Sequence, residues 1–135
     1  MADENKLFQI EIITPERILY NGKAEMVEFT AEDGEIGIYK NHIPLTTVIA
    51  PGVLTITEPE GKKTAALHAG FAEILPDKVT ILAEIAEWPD EIDLDRAKEA
   101  KERAEERIRT ASTGTDVARA EAALKKAMVR LDLKS

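Results

Sequence analysis

The sequence predicts a chain of mixed β and α class, with an N-terminal antiparallel β-sandwich over residues 1–88 and a C-terminal antiparallel two-helix hairpin over residues 89–135. All six prolines and six of the seven glycines lie before Asp90, whereas the segment after it has no proline and nine alanines. Closely spaced turn formers divide a chain into strands, and an alanine-rich segment without them favours long helices.

Composition excludes several classes of protein. The 135 residues carry a net charge of −8, are 44% hydrophobic and include no cysteine. An acidic chain is a poor non-specific ligand for nucleic acid, and without cysteine there is no disulfide framework or thiolate nucleophile. No apolar run approaches a membrane span and the N-terminus is polar, so we expect a soluble intracellular protein without direct membrane insertion.

The N-terminal segment has the pattern of short strands. Residues 8–12 alternate apolar and polar side chains, as in a half-buried strand. Asn21-Gly22 predicts a tight turn before an alternating strand over residues 27–31. Further strands are predicted after later turn pairs, at residues 36–39, 53–57, 64–68 and 79–85. This spacing is typical of an all-β sandwich or barrel.

The C-terminal segment predicts helices at about 93–109 and 115–133. Asp93 is a candidate N-cap of the first helix, and Thr115 or Asp116 of the second, after a break at residues 112–115. The apolar stripe is largely alanine, and its large members are Leu94, Ile108, Val117, Leu124 and Leu131. Such a hairpin buries little apolar surface between its own helices. We therefore expect it to pack on another protein surface for stability. We also expect it to move from one such surface to another at a small cost in free energy.

Signs of catalysis are weak. His42 and His68 lie in different segments without paired ligand spacing, which favours structural roles and predicts no metal site. There is no phosphate-binding loop, and no pair of carboxylates is singled out as acid and base. We therefore do not expect an enzyme.

A basic pattern marks the second helix. Arg119, Lys126 and Arg130 recur at intervals of seven and four, close to one helical face. Two interpretations are open: an ordinary solvated face, or a cationic face that docks on an acidic protein surface or an anionic ligand.

An ordered set of motifs gives the chain a family resemblance. The motifs are GEIGIY at 34–39, HIPL at 42–45, PG at 51–52, AGFAE at 69–73, VTILA at 79–83, IDLDRA at 92–97 and RAE at 119–121. Together they resemble the epsilon subunit of bacterial rotary ATP synthase over essentially the whole chain. One departure is Lys40-Asn41, where relatives usually carry Pro-Gly.

The resemblance implies a non-catalytic rotor subunit, peripheral at the cytoplasmic face of the bacterial membrane. Its β domain would bind the gamma subunit and the polar loops of the c-ring, with Glu35 and His42 in the contacting loops. The alternatives are a charged turn residue for Glu35 and a loop-packing role for His42. In such proteins the folded-down hairpin permits ATP hydrolysis by the complex, and the extended hairpin inhibits it. Arg119, Lys125, Lys126 and Arg130 would then oppose acidic segments of the catalytic beta (and alpha) subunits.

The motif Ile/Leu-Asp-x-x-Arg-Ala implies a regulatory ATP site and no required cofactor. The implied ATP-binding residues are Glu87, Ile92, Asp93, Arg96, Ala97, Lys126 and Arg130. An arginine near a helix N-terminus suits phosphate oxygens. Equally, Asp93 caps a helix and Arg96 pairs with a glutamate in a purely structural interpretation. A stand-alone ATP-sensing module of the same fold is the alternative function, and failure to bind gamma would distinguish it.

Overall fold

A computed structural model describes residues 4–111 and 113–134. The chain divides after Glu87 into two compact units, which we call the β domain and the hairpin. Ser112, which belongs to the predicted interhelical break, lies outside the described residues.

The β domain contains eight strands, preceded by a single 3-10 turn at Glu4–Lys6. They are β1 (Phe8–Ile13), β2 (Ile18–Ala24), β3 (Met26–Ala31), β4 (Gly34–Ile38), β5 (Leu45–Ile49), β6 (Gly52–Glu58), β7 (Gly61–Ile74) and β8 (Lys78–Glu87). The hydrogen-bonded order is β2-β1-β8-β7-β5-β3-β4, and β6 pairs with β3 and β7. Each pair is antiparallel, as predicted, except β1 with β8, which is parallel.

The long strand β7 turns this sheet into a sandwich. Its first half pairs with β6 and its second half with β5, and both of those strands also pair with β3. The two layers enclose a core of alternating side chains, as the buried–half-buried pattern of β1 illustrates. The largest fully buried apolar side chains are Phe29, Ile10, Ile12, Ile38, Leu54, Ile56, Leu67, Ile74 and Ile81.

The change of partner along β7 occurs at Ala69-Gly70. Ala69 has φ 51° and Gly70 has φ 144°, both outside the conformations that most residues adopt. A Cβ atom on Gly70 would lie 2.0 Å from the Leu82 carbonyl oxygen of β8. Only glycine allows this close approach of two backbones.

The predicted turn at Asn21-Gly22 is wrong, because both residues lie inside β2. Gly22 pairs with Ile10 of β1, and the chain instead turns toward β3 at Glu25. A Cβ on Gly22 would lie 2.9 Å from the Tyr20 hydroxyl oxygen. The glycine therefore makes room for the Tyr20 ring rather than for a left-handed turn.

A polar cluster links β2 to β6. The Tyr20 hydroxyl donates to Glu58 Oε2 at 2.7 Å, and Lys63 Nζ lies 3.5 Å from Glu58 Oε1 and 5.6 Å from the centre of the Tyr20 ring. Burial, and then the hydrogen bond to Glu58, raise the pKa of Tyr20 above its ordinary value. The neutral phenol is therefore the form that the fold stabilises.

We expect Tyr20→Phe to destabilise the chain at pH 7 by about 1 kcal/mol, because the part-buried hydrogen bond to Glu58 is lost. The raised pKa means that the folded state holds the phenolic proton more tightly than the unfolded state. The wild-type advantage is therefore fully present below about pH 10, the unfolded pKa, and shrinks as pH rises above it. Urea denaturation of both proteins at pH 8 and at alkaline pH measures this difference; a gap that widened with pH would contradict the assignment.

The hairpin comprises a 3-10 turn (Pro89–Glu91), helix α1 (Leu94–Thr110) and helix α2 (Gly114–Lys134). Asp93 caps α1, since its side chain accepts from the backbone N–H of Arg96. The predicted caps of α2, Thr115 and Asp116, are wrong: Thr113 Oγ1 accepts from the Asp116 N–H at 3.2 Å. A threonine three residues before the bonded donor is in the N-cap position.

Alanines line the contact between the two helices. The buried side chains are Ala97 and Ala104 on α1 and Ala120 and Ala127 on α2. The larger apolar members of the predicted stripe, such as Leu94, Leu124 and Leu131, are only half-buried. The hairpin therefore gains little from apolar burial, because each alanine contributes a single methyl group.

Candidate functional sites

Glu35 lies on an acidic face of the β domain. It is exposed on β4, opposite Thr30 of β3. Together with Glu28 and the apolar Met26 and Val53 it lines an open groove of about 410 Å³. Gly37 forms part of the groove wall. A groove lined by two carboxylates and by apolar side chains suits a partner that offers both a cation and a nonpolar contact.

The loop after β4 holds His42. Its Nδ1 lies 2.6 Å from the Ile43 carbonyl oxygen. Asn41 has φ 69°, and its N–H donates to the Pro76 carbonyl at 2.6 Å. Asparagine tolerates this left-handed conformation better than most residues, so Asn41 supports a turn at this position. No hydrogen bond or ion pair joins His42 to Glu35 within the described ranges.

An apolar row crosses four strands on an outer face of the β domain. Ile13, Leu82, Phe71 and Val48 lie opposite one another on β1, β8, β7 and β5. Phe71 is 57% exposed, Leu82 51% and Val48 41%. Contiguous exposed apolar side chains mark protein interaction surfaces. Sequence reasoning missed this row, although Phe71 alternates with the buried Ala72 and Ile74 and so must point outward.

Glu87 is the last residue of β8 and lies opposite Ala66 of β7. Its Oε1 is 3.4 Å from Nε2 of His68, whose side chain is completely buried. Beside it, Arg17 Nη2 donates to the Ala86 carbonyl at 3.3 Å. Glu87 is the one implied ATP-binding residue that belongs to the β domain, and the others belong to the hairpin.

The IDLDRA segment forms the start of α1. Ile92 is buried, Asp93 Oδ1 accepts from the Arg96 N–H at 3.2 Å, and the Ala97 N–H donates to the Asp93 carbonyl at 3.0 Å. The Arg96 side chain is exposed. Asp93 thus performs the capping role, and the arrangement places a guanidinium beside a helix N-terminus.

The cations of α2 occupy two places along the helix. Lys126 and Arg130 are half-buried and one turn apart, so they share a face. Lys125 is exposed. Arg119 is farther along the hairpin, where it lines a cavity of about 390 Å³ with Arg107 of α1 and Asp116. Arg107 was missed, because only the pairing of the helices brings it to Arg119.

Two absences concern the described residues alone. Within residues 4–111 and 113–134, no group of three His, Asp or Glu side chains is arranged to hold a metal ion. In the same residues, neither helix is long and apolar enough to cross a membrane.

Comparison with known proteins decides the family. The model of the ATP synthase delta/epsilon chain β-sandwich domain matches residues 7–89, and that of the delta/epsilon chain long alpha-helix domain matches residues 90–134. The chain belongs to the ATP synthase delta/epsilon family. Members of this family are subunits of ATP synthase, and the epsilon chain is not catalytic itself.

Named relatives support the assignment over nearly the full length. The ATP synthase epsilon chain of Caldanaerobacter subterraneus is 48% identical over 97% of this chain and 96% of its own length. The epsilon chain of Natranaerobius thermophilus is 46% identical over 94% of this chain and 92% of its own length. The epsilon chain of Bacillus pumilus is 41% identical over 95% of this chain and 97% of its own length.

Solved structures share the fold. A chain of the Euglena gracilis mitochondrial ATP synthase, from a structure of its OSCP, F1 and c-ring, superposes with a TM-score of 0.82 at 20% identity, covering 94% of this chain and 80% of that one. A chain from a structure of the Tetrahymena thermophila mitochondrial ATP synthase central stalk and c-ring superposes with a TM-score of 0.64 at 10% identity. The match covers 95% of this chain and 96% of that one.

Proposed function

We propose that this epsilon chain joins the gamma subunit to the c-ring in the central stalk of a bacterial ATP synthase, at the cytoplasmic face of the membrane. The observation that carries the proposal is the apolar row on the β domain. A row that spans four hydrogen-bonded strands is rigid, and a rigid apolar face suits a permanent contact that transmits torque. We assign gamma to this face.

A pair of charge-introducing substitutions tests the gamma contact. Phe71→Glu buries a carboxylate in the contact, so we expect its affinity for gamma to fall about thirtyfold or more, as at an interface hot spot. Ile18→Glu on β2 is the matched control, since Ile18 is 60% exposed and lies outside the row. Its affinity should stay within about threefold of wild type, in the range of peripheral contacts.

Binding of purified gamma, followed by calorimetry, separates the outcomes. Equal losses in both variants would contradict the assignment of the row. A wild-type chain that binds ATP but not gamma would instead be the stand-alone ATP-sensing module.

The Glu35 groove and the His42 loop are our candidates for the c-ring contact. Glu28 and Glu35 contribute two negative charges to this groove, and Met26, Ile36 and Val53 contribute apolar surface. A polar loop carrying a basic side chain is complementary to it. The c-ring loops are the partner that we assign.

The hairpin is the regulatory element in this proposal. Its alanine seam keeps the cost of separating the helices small, so two arrangements can differ by only a few kcal/mol. Extended, it would inhibit hydrolysis through Arg119 and Lys125, with Arg107 beside Arg119, against acidic segments of the beta and alpha subunits.

ATP is the ligand that we assign to the folded-down state. Arg96, at the N-terminus of α1, and the pair Lys126 and Arg130 would contact phosphate oxygens, while Asp93 would hold the adenosine part. Ile92 and Ala97 are buried next to the cap and would shape the site. Lys126 keeps the charge of an arginine but not its bidentate fork.

A further inference from the structure

We propose that the cavity between Arg107 and Arg119, near the turn that joins α1 to α2, binds inorganic phosphate. The site lies within the hairpin alone, so it needs no contact with the β domain. It is also separate from the proposed ATP site, because Arg107 follows Arg96 by eleven residues, or about 16 Å of helix. Phosphate bound here would compete with the acidic partner segments to which the proposed function assigns Arg119.

Helix pairing brings the two arginines to one cavity. Arg107 is in the last turn of α1, and Arg119 is in the second turn of α2. The cavity has a volume of about 390 Å³. Its lining consists of Arg107, Thr110, Ala111, Asp116, Arg119 and Ala120. Ala120 is buried in the alanine seam, so the contact between the helices fixes the distance between the cavity walls.

The charges around the cavity favour an anion. The residues three and four positions from Arg107, where a helical ion pair would form, are an arginine, a threonine and two alanines. Arg109, by contrast, pairs with Glu106 on the same helix. In the part of the chain that the structure describes, neither Arg107 nor Arg119 has a hydrogen bond or an ion pair with a carboxylate. Two like charges that line one cavity repel each other, and an anion between them removes this repulsion.

The arrangement of donors favours a tetrahedral oxyanion. A guanidinium group offers several N–H donors in a planar fork that matches the oxygens of phosphate or of a carboxylate. Because Arg107 and Arg119 approach from different helices, the ligand must present oxygens in two directions, as phosphate does. The Thr110 hydroxyl already donates to the Glu106 carbonyl at 3.0 Å, so the arginines are the donors that remain.

Asp116 makes the cavity selective for phosphate over sulfate. Its side chain lines the same cavity, and a carboxylate accepts hydrogen bonds but cannot donate them. At neutral pH phosphate retains at least one P–O–H group, which can donate to Asp116. Sulfate is fully ionised and has no such donor, so its oxygens meet the carboxylate as like charges.

An NMR titration of the isotope-labelled full chain with sodium phosphate tests the site. We expect a dissociation constant of about 1 mM, with the largest shifts in the Nε–H signals of Arg107 and Arg119. Arg107→Gln and Arg119→Gln should each lower the affinity about tenfold, because a charge-assisted contact is lost. Both residues are exposed and glutamine is a good helix former, so the helices should remain intact.

Arg103→Gln is the matched control. Arg103 is exposed one turn earlier on α1 and does not line the cavity, and its loss changes the net charge equally. Its affinity for phosphate should stay within about twofold of wild type, as expected for a screened charge. Similar losses in all three arginine variants would overturn the inference, because the binding would then depend on overall charge.

The choice of anion supplies a second readout. At equal ionic strength we expect sulfate to bind the wild-type chain about tenfold more weakly than phosphate. Asp116→Asn removes the repulsion and adds an amide donor, so it should raise the affinity for sulfate to near that for phosphate. The same preference in Asp116→Asn as in wild type would overturn the role of Asp116.

Arg96→Gln distinguishes this site from the proposed ATP site. If Arg96→Gln abolishes phosphate binding and Arg107→Gln does not, phosphate occupies the nucleotide site and the present inference is overturned, whereas the ATP site stands. If the wild-type chain binds no phosphate at millimolar concentrations, the inference also fails. The ATP titrations of the same chain then decide the ATP site independently.

Discussion

A Gly70→Ala variant is expected to lose more than about 4 kcal/mol of folding free energy, the largest single effect that we predict for a methyl group in this chain. The added Cβ would lie 2.0 Å from the Leu82 carbonyl oxygen and 2.9 Å from the Ala83 Cα, both main-chain atoms. Backbone cannot rotate away as a side chain can. The φ of 144° adds conformational strain of about 1–3 kcal/mol.

Gly61→Ala is the matched control. Gly61 has φ 151°, but a Cβ there meets no atom within 4 Å. This variant therefore has the conformational strain without the steric clash, and its folding free energy should fall by about 1–3 kcal/mol. Urea denaturation followed by circular dichroism compares the two. Equal destabilisation would show that β7 and β8 separate easily at Gly70, contrary to the structure.

An Arg96→Ala variant is expected to bind ATP about thirtyfold more weakly than wild type, since a charge-assisted contact to phosphate contributes about 2 kcal/mol. Arg103→Ala is the control, because Arg103 is an exposed arginine two turns farther along α1 and its loss changes the net charge equally. Its affinity should stay within about twofold, as expected for a screened charge. Calorimetric titration measures both; similar affinities in the two variants would reject a phosphate contact at Arg96.

Asp93 needs two variants because it also caps α1. Asn caps a helix about as well as Asp, whereas Ala costs about 1 kcal/mol. If Asp93 accepts hydrogen bonds from ATP as a carboxylate, Asp93→Asn weakens binding while leaving the melting temperature almost unchanged. If it is a cap and nothing more, Asp93→Asn binds ATP like wild type, and only Asp93→Ala changes the stability of the hairpin.

Local patterns predicted the parts of this fold that local physics determines. The alternation in β1 gave its buried face, and the cap at Asp93 is a bond between residues three apart. The turn predicted at Asn21-Gly22 is wrong because glycine serves two purposes. It permits a left-handed turn, and it also leaves room for a neighbouring ring. The space that Tyr20 needs beside Gly22 is visible only once β2 is built.

Non-local features were out of reach of a single sequence. The apolar row depends on the registers of three strand pairings, and no spacing along the chain shows that Val48, Phe71 and Leu82 are neighbours. The proximity of His68 to Glu87 likewise follows from the β7–β8 register. The implied ATP-binding residues came from family resemblance, and the capping geometry of Asp93 agrees with that site and with a simple helix start alike.

The parallel pairing of β1 with β8 sets an order of events during synthesis. Gln9 pairs with Lys78 and Ile13 with Leu82, so the edge of β1 that does not pair with β2 waits for a partner about seventy residues later. Until β8 leaves the ribosome, the strands already made cannot close their core, and such long-range closure is slow. The hairpin is made last, but its contacts are local and form quickly. A nascent chain therefore exposes this edge of β1 for most of its synthesis, the period in which an unpaired strand edge is open to misassembly.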